Sequence, residues 1–124
     1  MIFVVDDDLF FRNYISSILK INGFDNIKVF DSGESCIENV GLNPDVIILD
    51  HDMKGMSGSD VLRYLKKTKK NIPVLMVSGR EEPELISEMI KLGVHKYLKK
   101  DEQLLATLKD YFTSNYGTKN LAAI

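Results

Sequence analysis

Val46-Ile47-Ile48-Leu49-Asp50 is the stretch that decides the fold of this chain. Four apolar residues run in a row and stop at a carboxylate. A run that short and that apolar reads as a strand buried on both faces. Asp50 then stands at the strand's carboxyl end, the edge at which open α/β sheets bind ligands. Two other runs end in the same way. Ile2-Phe3-Val4-Val5 stops at Asp6-Asp7-Asp8, and Val74-Leu75-Met76-Val77 stops at Ser78-Gly79. Three buried strands therefore deliver acids and a hydroxyl to one edge.

Helical patterns lie between the runs. From about Leu9 to Ile21, Phe11, Ile15, Ile18 and Leu19 fall on one face, and Asn22-Gly23 supplies the stop, with Phe24 packing back beyond it. Ile27–Phe30 is a second strand, interrupted by Lys28. Asp31 or Ser32 caps a helix that runs to about Val40, with Cys36, Ile37 and Val40 inward. After the third strand, the loop from Asp50 to Gly58 is dense in glycine and polar residues. Ser57 or Ser59 caps a helix to about Lys67 with Val61, Leu62 and Leu65 inward. Arg80–Glu84 reads as a helix start, with acids in the first turn and Pro83 early. That helix carries Leu85, Ile86, Met89 and Ile90 inward and stops at Gly93. A fifth strand is expected at His95–Leu98. Asp101 then caps a last helix with Leu104, Leu105, Leu108 and Phe112 inward. Residues 1–113 form the expected domain, and 114–124 a polar tail expected to fray.

Strands and helices alternate five times, which calls for a parallel sheet with helices on both faces. The first, third and fourth strands are wholly apolar and belong at the centre. The second and fifth carry Lys28 and Lys96 and belong at the edges. Right-handed crossovers then give the order 2-1-3-4-5. The fold class is α/β: three layers, doubly wound, five-stranded and flavodoxin-like. Its ligand site lies between the first and third strands, where Asp6, Asp7 and Asp50 sit.

Composition narrows the function. The 124 residues fit one domain without covalent staples. A formal net charge of −2 argues against bulk electrostatic binding of nucleic acid or an anionic membrane. Cys36 is the only cysteine, so no intramolecular disulfide forms, which suits a reducing compartment. No run approaches the ~18 apolar residues of a membrane span, and Ile2–Val5 is too short for a signal-peptide core. A cytoplasmic protein is expected.

Three carboxylates at one edge repel one another, and a hard cation removes that conflict. Mg²⁺ fits best, because it takes few protein carboxylates and keeps waters and a phosphate oxygen. A carboxylate beside such an ion can attack phosphorus and become an aspartyl-phosphate. A fixed cation and a hydroxyl donor complete the set; Lys100 follows the fifth strand and Ser78 ends the fourth, while Gly79 leaves room for a phosphoryl group.

With FVVDDD, VIILDHDMKGMSG, PVLMVSG and GVHKYLKKD, the chain from Ile2 to about Phe112 resembles a response-regulator receiver domain of two-component signalling, of the chemotaxis-regulator type. The resemblance implies a phosphoacceptor switch that takes its phosphoryl group from a histidine kinase or histidine phosphotransfer protein and then changes its partner-binding surface of helix four, strand five and helix five. It implies Asp50 as phosphoacceptor, Asp7 as direct Mg²⁺ ligand, Asp6 acting mainly through water, and the backbone carbonyl of Asp52 completing the metal site. It also implies Ser78 as switch hydroxyl, Tyr97 as switch aromatic and Lys100 as phosphate-binding lysine. Two positions depart from the family pattern. Lys54 stands where the family usually has proline, which is expected to loosen the loop before Gly55, and Asp101 stands where many members have proline after the lysine. Asp52 and Arg80, two past the acceptor and two past Ser78, are expected to flank the approach of water and tune dephosphorylation.

Blander readings stand beside these. Asp6–Asp8 is also a helix N-cap run, with Asp8 the cap. Ser78 is also a turn residue, Lys100 a solvated lysine and Tyr97 a packing residue on helix four. His51 and His95 lack ligand partners and read as loop and edge residues, and Cys36 as a small core residue. Of Leu9 and Phe10, one is expected to be exposed, incidentally or for docking. Two other functions compete with the switch. Asp50-His51-Asp52 resembles the DxD start of haloacid-dehalogenase-type phosphatases, although that motif normally follows a first strand. A receiver used only for protein contacts is disfavoured by the intact acids. Beyond self-catalysed phosphotransfer and autodephosphorylation, no enzyme activity is expected. Within these 124 residues no output domain is expected after the last helix, and a stand-alone regulator and a piece of a larger protein are both compatible with the sequence.

Overall fold

A computed structural model of the chain describes residues 1–121, with the backbone alone for 118–121. Its elements follow in the order β1 (Ile2–Val5), α1 (Leu9–Ile21), β2 (Ile27–Phe30), α2 (Gly33–Asn39), a 3₁₀ turn (Val40–Leu42), β3 (Val46–Asp50), α3 (Gly58–Lys67), β4 (Val74–Ser78), α4 (Pro83–Lys91), β5 (Lys96–Lys99) and α5 (Leu104–Leu121). The five strands pair in parallel in the order β2-β1-β3-β4-β5. Every residue of β1, β3 and β4 is buried, whereas β2 and β5 are half exposed, so the lysine-bearing strands are the edges.

Successive strand side chains point to opposite faces, and the core is accordingly split in two. Ile2, Val4, Ile48, Leu75 and Val77 pack with Ile15 and Leu19 of α1 and Leu108 and Phe112 of α5. Phe3, Val5, Ile47, Leu49 and Met76 pack with Cys36, Leu62 and Met89 on the other face. Each fully buried large side chain contributes roughly 1.5–3 kcal/mol relative to exposure. Cys36 lies wholly inside, where burial pushes its thiol up to about 12, so it is an inert core residue.

The helix ends follow their local chemistry. Asp8 caps α1 by accepting from Phe10 N at 3.0 Å. At the other end Gly23 takes φ 91°, Gly23 N donates to Lys20 O and Phe24 N donates to Leu19 O, and Phe24 packs back against Phe112. Ser32, not Asp31, caps α2. Ser57, not Ser59, caps α3 in a capping box with Asp60. An added Cβ at Gly58 would lie 2.6 Å from Met76 Sδ and 2.9 Å from His51 Cα, so the first residue of α3 is pressed onto the ends of β3 and β4.

Some expectations on side-chain direction need correction. Ile90 (64% exposed) and Leu105 (37%) face outward, although both read as inward. Each adjoins a buried residue, Met89 or Leu104, and one step along a helix turns about 100°. The sheet covers only one narrow arc of α4 and α5. The last helix also runs past the expected tail boundary at Ser114. Tyr116 packs on Phe24 and Phe112, and the helical dihedrals break at Gly117 (φ 64°, ψ −172°). The expectation for residues 122–124 lies outside the described residues. Among the described residues, no helix is long and apolar enough to cross a membrane.

Candidate functional site

Parallel register brings the site together. Val5 lies beside Leu49, so the next residues, Asp6 and Asp50, leave adjacent strands at one level. Asp50 lies beside Val77, and Ser78 lies beside Lys99, which places Lys100 at the same edge. Asp6, Asp50 and Ser78 are buried, while Asp7 is exposed. One carboxylate oxygen from each of Asp6, Asp7 and Asp50 lies within 4.8 Å of the others. Three hard, anionic oxygen donors converging from two strand ends suit a divalent cation such as Mg²⁺.

Lys100 Nζ reaches into this group, 3.0 Å from Asp50 Oδ1 and 3.2 Å from Asp6 Oδ2. It also lies over the Phe11 ring, 4.1 Å from its centre, a cation–π contact. The remaining Asp6 oxygen accepts from Asp8 N at 2.9 Å, and Arg12 Nη1 donates to the Asp6 carbonyl at 2.8 Å. Both oxygens of Asp6 are thus engaged by the protein. Burial is the main force raising the Asp50 carboxyl from 3.8 to about 6; Lys100 opposes it and Asp6 and Asp7 add to it. For Lys100, burial acts downward, but its bonds to Asp50 and Asp6 outweigh it and the ammonium is held above its ordinary range.

The fourth strand supplies the rest. Ser78 Oγ accepts from Arg80 N at 3.0 Å, which leaves the hydroxyl proton free to donate elsewhere. Half-buried Tyr97 donates from its hydroxyl to the Arg80 carbonyl at 2.9 Å. Arg80 Nη1 lies 3.5 Å from Asp52 Oδ1, while its Nε donates to Glu82 Oε1 at 3.1 Å. Asp52 and Arg80 lie within ion-pair distance, with the guanidinium shared between Asp52 and Glu82.

A family profile described as the response regulator receiver domain matches residues 2–110. This chain belongs to that family. It is 31% identical over 112 residues to the chemotaxis protein CheY-3 of Vibrio cholerae, covering 88% of this chain and 85% of that protein. Identity is 33% over 102 residues to CheY of Pseudomonas aeruginosa, covering 80% and 82%. Against the transcriptional regulatory protein FixJ of Bradyrhizobium diazoefficiens it is 29% over 112 residues, where the chain spans only 54% of the relative's length. Among solved structures, CheY4 of Vibrio cholerae superposes with a TM-score of 0.78 at 27% identity, over 88% of this chain and 95% of that one. Receiver domains are the signalling switches of two-component systems; they work with histidine kinases and downstream targets and bind Mg²⁺ at an acidic pocket.

Within this receiver domain, three groups near the site were not legible in sequence. His51, expected in a loop, is buried: its Nδ1 lies 3.0 Å from Asp52 Oδ1 and its Nε2 2.9 Å from Ser59 Oγ. Its partners sit one and eight residues away, a spacing that carries no motif. Lys54, expected to loosen the loop, gives it a bond that a proline lacks: its backbone N–H donates to Asp7 Oδ2 at 3.0 Å. Glu34, at the start of α2, accepts from Met56 N at 3.3 Å and lies where a Cβ on Gly55 (φ 75°) would project, 2.6 Å from Oε2. Leu9 and Phe10 are both exposed, at 60% and 76%, where one was expected to be; Phe10 stacks on Tyr14 along α1 beside the acids.

Proposed function

We propose that this receiver domain is cytoplasmic and is switched by phosphorylation of Asp50, the phosphoryl group being taken from the phosphohistidine of a histidine kinase or histidine phosphotransfer protein. The observation that carries the proposal is Lys100 Nζ bridging Asp50 and Asp6 beside the cluster of three acids. An Asp50 oxygen bonds to phosphorus as the P–N bond of the phosphohistidine breaks, and the imidazole departs with its electron pair and takes up a proton. Lys100, already seated between the carboxylates, turns its charge to a phosphoryl oxygen. Asp6, Asp7, Asp50 and the Asp52 carbonyl are the groups suited to hold Mg²⁺, with Asp7 as direct ligand and Asp6, whose oxygens are already engaged, acting through water. When bound, the ion neutralises charge on the phosphoryl oxygens.

Ser78 and Tyr97 are the proposed switch. Ser78 Oγ presently accepts from Arg80 N, and Tyr97 donates to Arg80 O. If Ser78 swings its Oγ away from Arg80 N to donate to the phosphoryl group, the Arg80 backbone is released and the carbonyl that holds Tyr97 shifts with it. The change then reaches the surface of α4, β5 and α5, where a downstream protein docks. Arg80 and Asp52 are proposed to close the path of the hydrolytic water, which must approach phosphorus opposite the Asp50 oxygen. The chemistry is proposed to stop at this domain's own phosphotransfer and autodephosphorylation. Incubation with Mg²⁺ and acetyl phosphate tests it by intact mass. One phosphoryl group is expected on wild type and none on Asp50→Asn. Stoichiometric uptake by Asp50→Asn, or steady turnover of small phosphomonoesters through Asp50 and Asp52, overturns the assignment.

A further inference from the structure

His51 is a buried polar side chain for which the switch chemistry has no use. It is 6% exposed, directly follows Asp50, and lies under Asp52, whose side chain is 53% exposed. Both ring nitrogens are engaged, Nδ1 with Asp52 Oδ1 at 3.0 Å and Nε2 with Ser59 Oγ at 2.9 Å. An ionised carboxylate only accepts, so the proton of that bond belongs to Nδ1. In an uncharged ring Nε2 then accepts from the Ser59 hydroxyl. In a charged ring Nε2 donates to it, and the hydroxyl turns towards Met89 Sδ, 3.7 Å away. The bond to Asp52 survives in either form.

The ring is itself held in place. His51 N donates to Val77 O, Gly58 N donates to His51 O, and Ser59 stands in the first turn of α3. Asp52 is therefore held by a rigid support, and the same oxygen that meets His51, Oδ1, meets Arg80 Nη1 at 3.5 Å. We infer that His51 is a positioning residue that holds the Asp52 carboxylate at the mouth of the site and so sets how long the phosphoryl group on Asp50 survives. This role presupposes phosphorylation of Asp50 and the gate formed by Asp52 and Arg80. In the gated step a water oxygen bonds to phosphorus and the bond from phosphorus to the Asp50 oxygen breaks. The electron pair returns to the Asp50 carboxylate, and both water protons leave on dihydrogen phosphate.

The two nitrogens can be tested separately. Asparagine places its amide near the Nδ1 position, and glutamine places its amide near Nε2. His51→Asn keeps a donor for Asp52, and His51→Gln keeps a partner for Ser59 alone. With each protein phosphorylated by acetyl phosphate and Mg²⁺, decay is followed after removal of the donor. His51→Gln is expected to lose phosphate faster than wild type, on the order of threefold to tenfold, as Asp52→Ala does. His51→Asn should stay near the wild-type rate, and His51→Gln should add nothing to Asp52→Ala. Equal acceleration by Asn and Gln would assign the effect to packing and overturn the brace. A wild-type rate in His51→Gln with fast decay in Asp52→Ala overturns the brace and leaves the gate standing. Wild-type rates in both Asp52→Ala and Arg80→Ala remove the gate instead. A readout independent of phosphorylation is the His51 ring proton: a slowly exchanging Nδ1–H resonance is expected in wild type and should be lost in Asp52→Ala. Its persistence in Asp52→Ala would refute the hydrogen bond on which the role depends.

Discussion

Replacing Asp50 by asparagine should stabilise the metal-free protein, and by an amount that depends on pH. The fold raises this carboxyl from 3.8 to about 6, chiefly by taking it out of water. Between those values the folded chain binds the proton more tightly than the unfolded chain. Stability therefore falls as pH rises through that window, and the full cost is present above about pH 6. A rise from 3.8 to about 6 corresponds to about 3 kcal/mol. Asparagine does not titrate and removes that cost. Lys100 loses one partner but keeps Asp6 at 3.2 Å, and the value of about 6 for Asp50 already includes its pairing with Lys100. The pH-dependent part of the difference is thus the clean quantity. The advantage of Asp50→Asn over wild type is expected to grow by up to about 3 kcal/mol between about pH 4 and pH 7. Urea unfolding in EDTA at several pH values measures it for both proteins, with slopes compared to confirm equal exposure of surface. A difference that stays flat across the window, or that shrinks as pH rises, would refute burial as the source of the raised carboxyl.

Three further outcomes are expected. Mg²⁺ affinity, read by calorimetry, should weaken as pH falls below about 6, because the Asp50 proton competes with the ion; equal affinity in wild type and Asp7→Ala would remove Asp7 from the metal shell. Arg80→Ala should speed loss of the phosphoryl group with little change in Tm, since its ion pairs are exposed; unchanged or slower decay rules out the gate. Gly58→Ala should lower stability by about 1–3 kcal/mol through its clash with Met76 Sδ and the His51 backbone, whereas Gly79→Ala, whose added Cβ meets nothing within 4 Å, should be no less stable in the same thermal melt.

Much of this molecule was legible in its one-dimensional pattern, because the relevant forces are local or periodic. Runs such as Val46–Leu49 stay out of water on both faces, and Lys28 and Lys96 mark the strands that do not, so both the sheet and its order could be read. Parallel pairing then brings the residue after each central strand to the same edge, so Asp6, Asp50 and Ser78 could be placed before any coordinates. Caps and stops such as Asp8 and Gly23 act within a few residues and were equally readable. What only the tertiary structure decided depends on which groups meet across elements. The outward turn of Ile90 and Leu105 follows from how narrow an arc the sheet covers. The Lys54 N–H finds Asp7 only because the β3–α3 loop folds over the end of β1, a contact 47 residues apart in sequence. His51 is buried because Gly58 lets the start of α3 approach closely enough for Ser59 to meet its ring. A hydrogen bond needs its partners within about 3 Å, and no spacing in the sequence encodes a distance set by the packing of two elements.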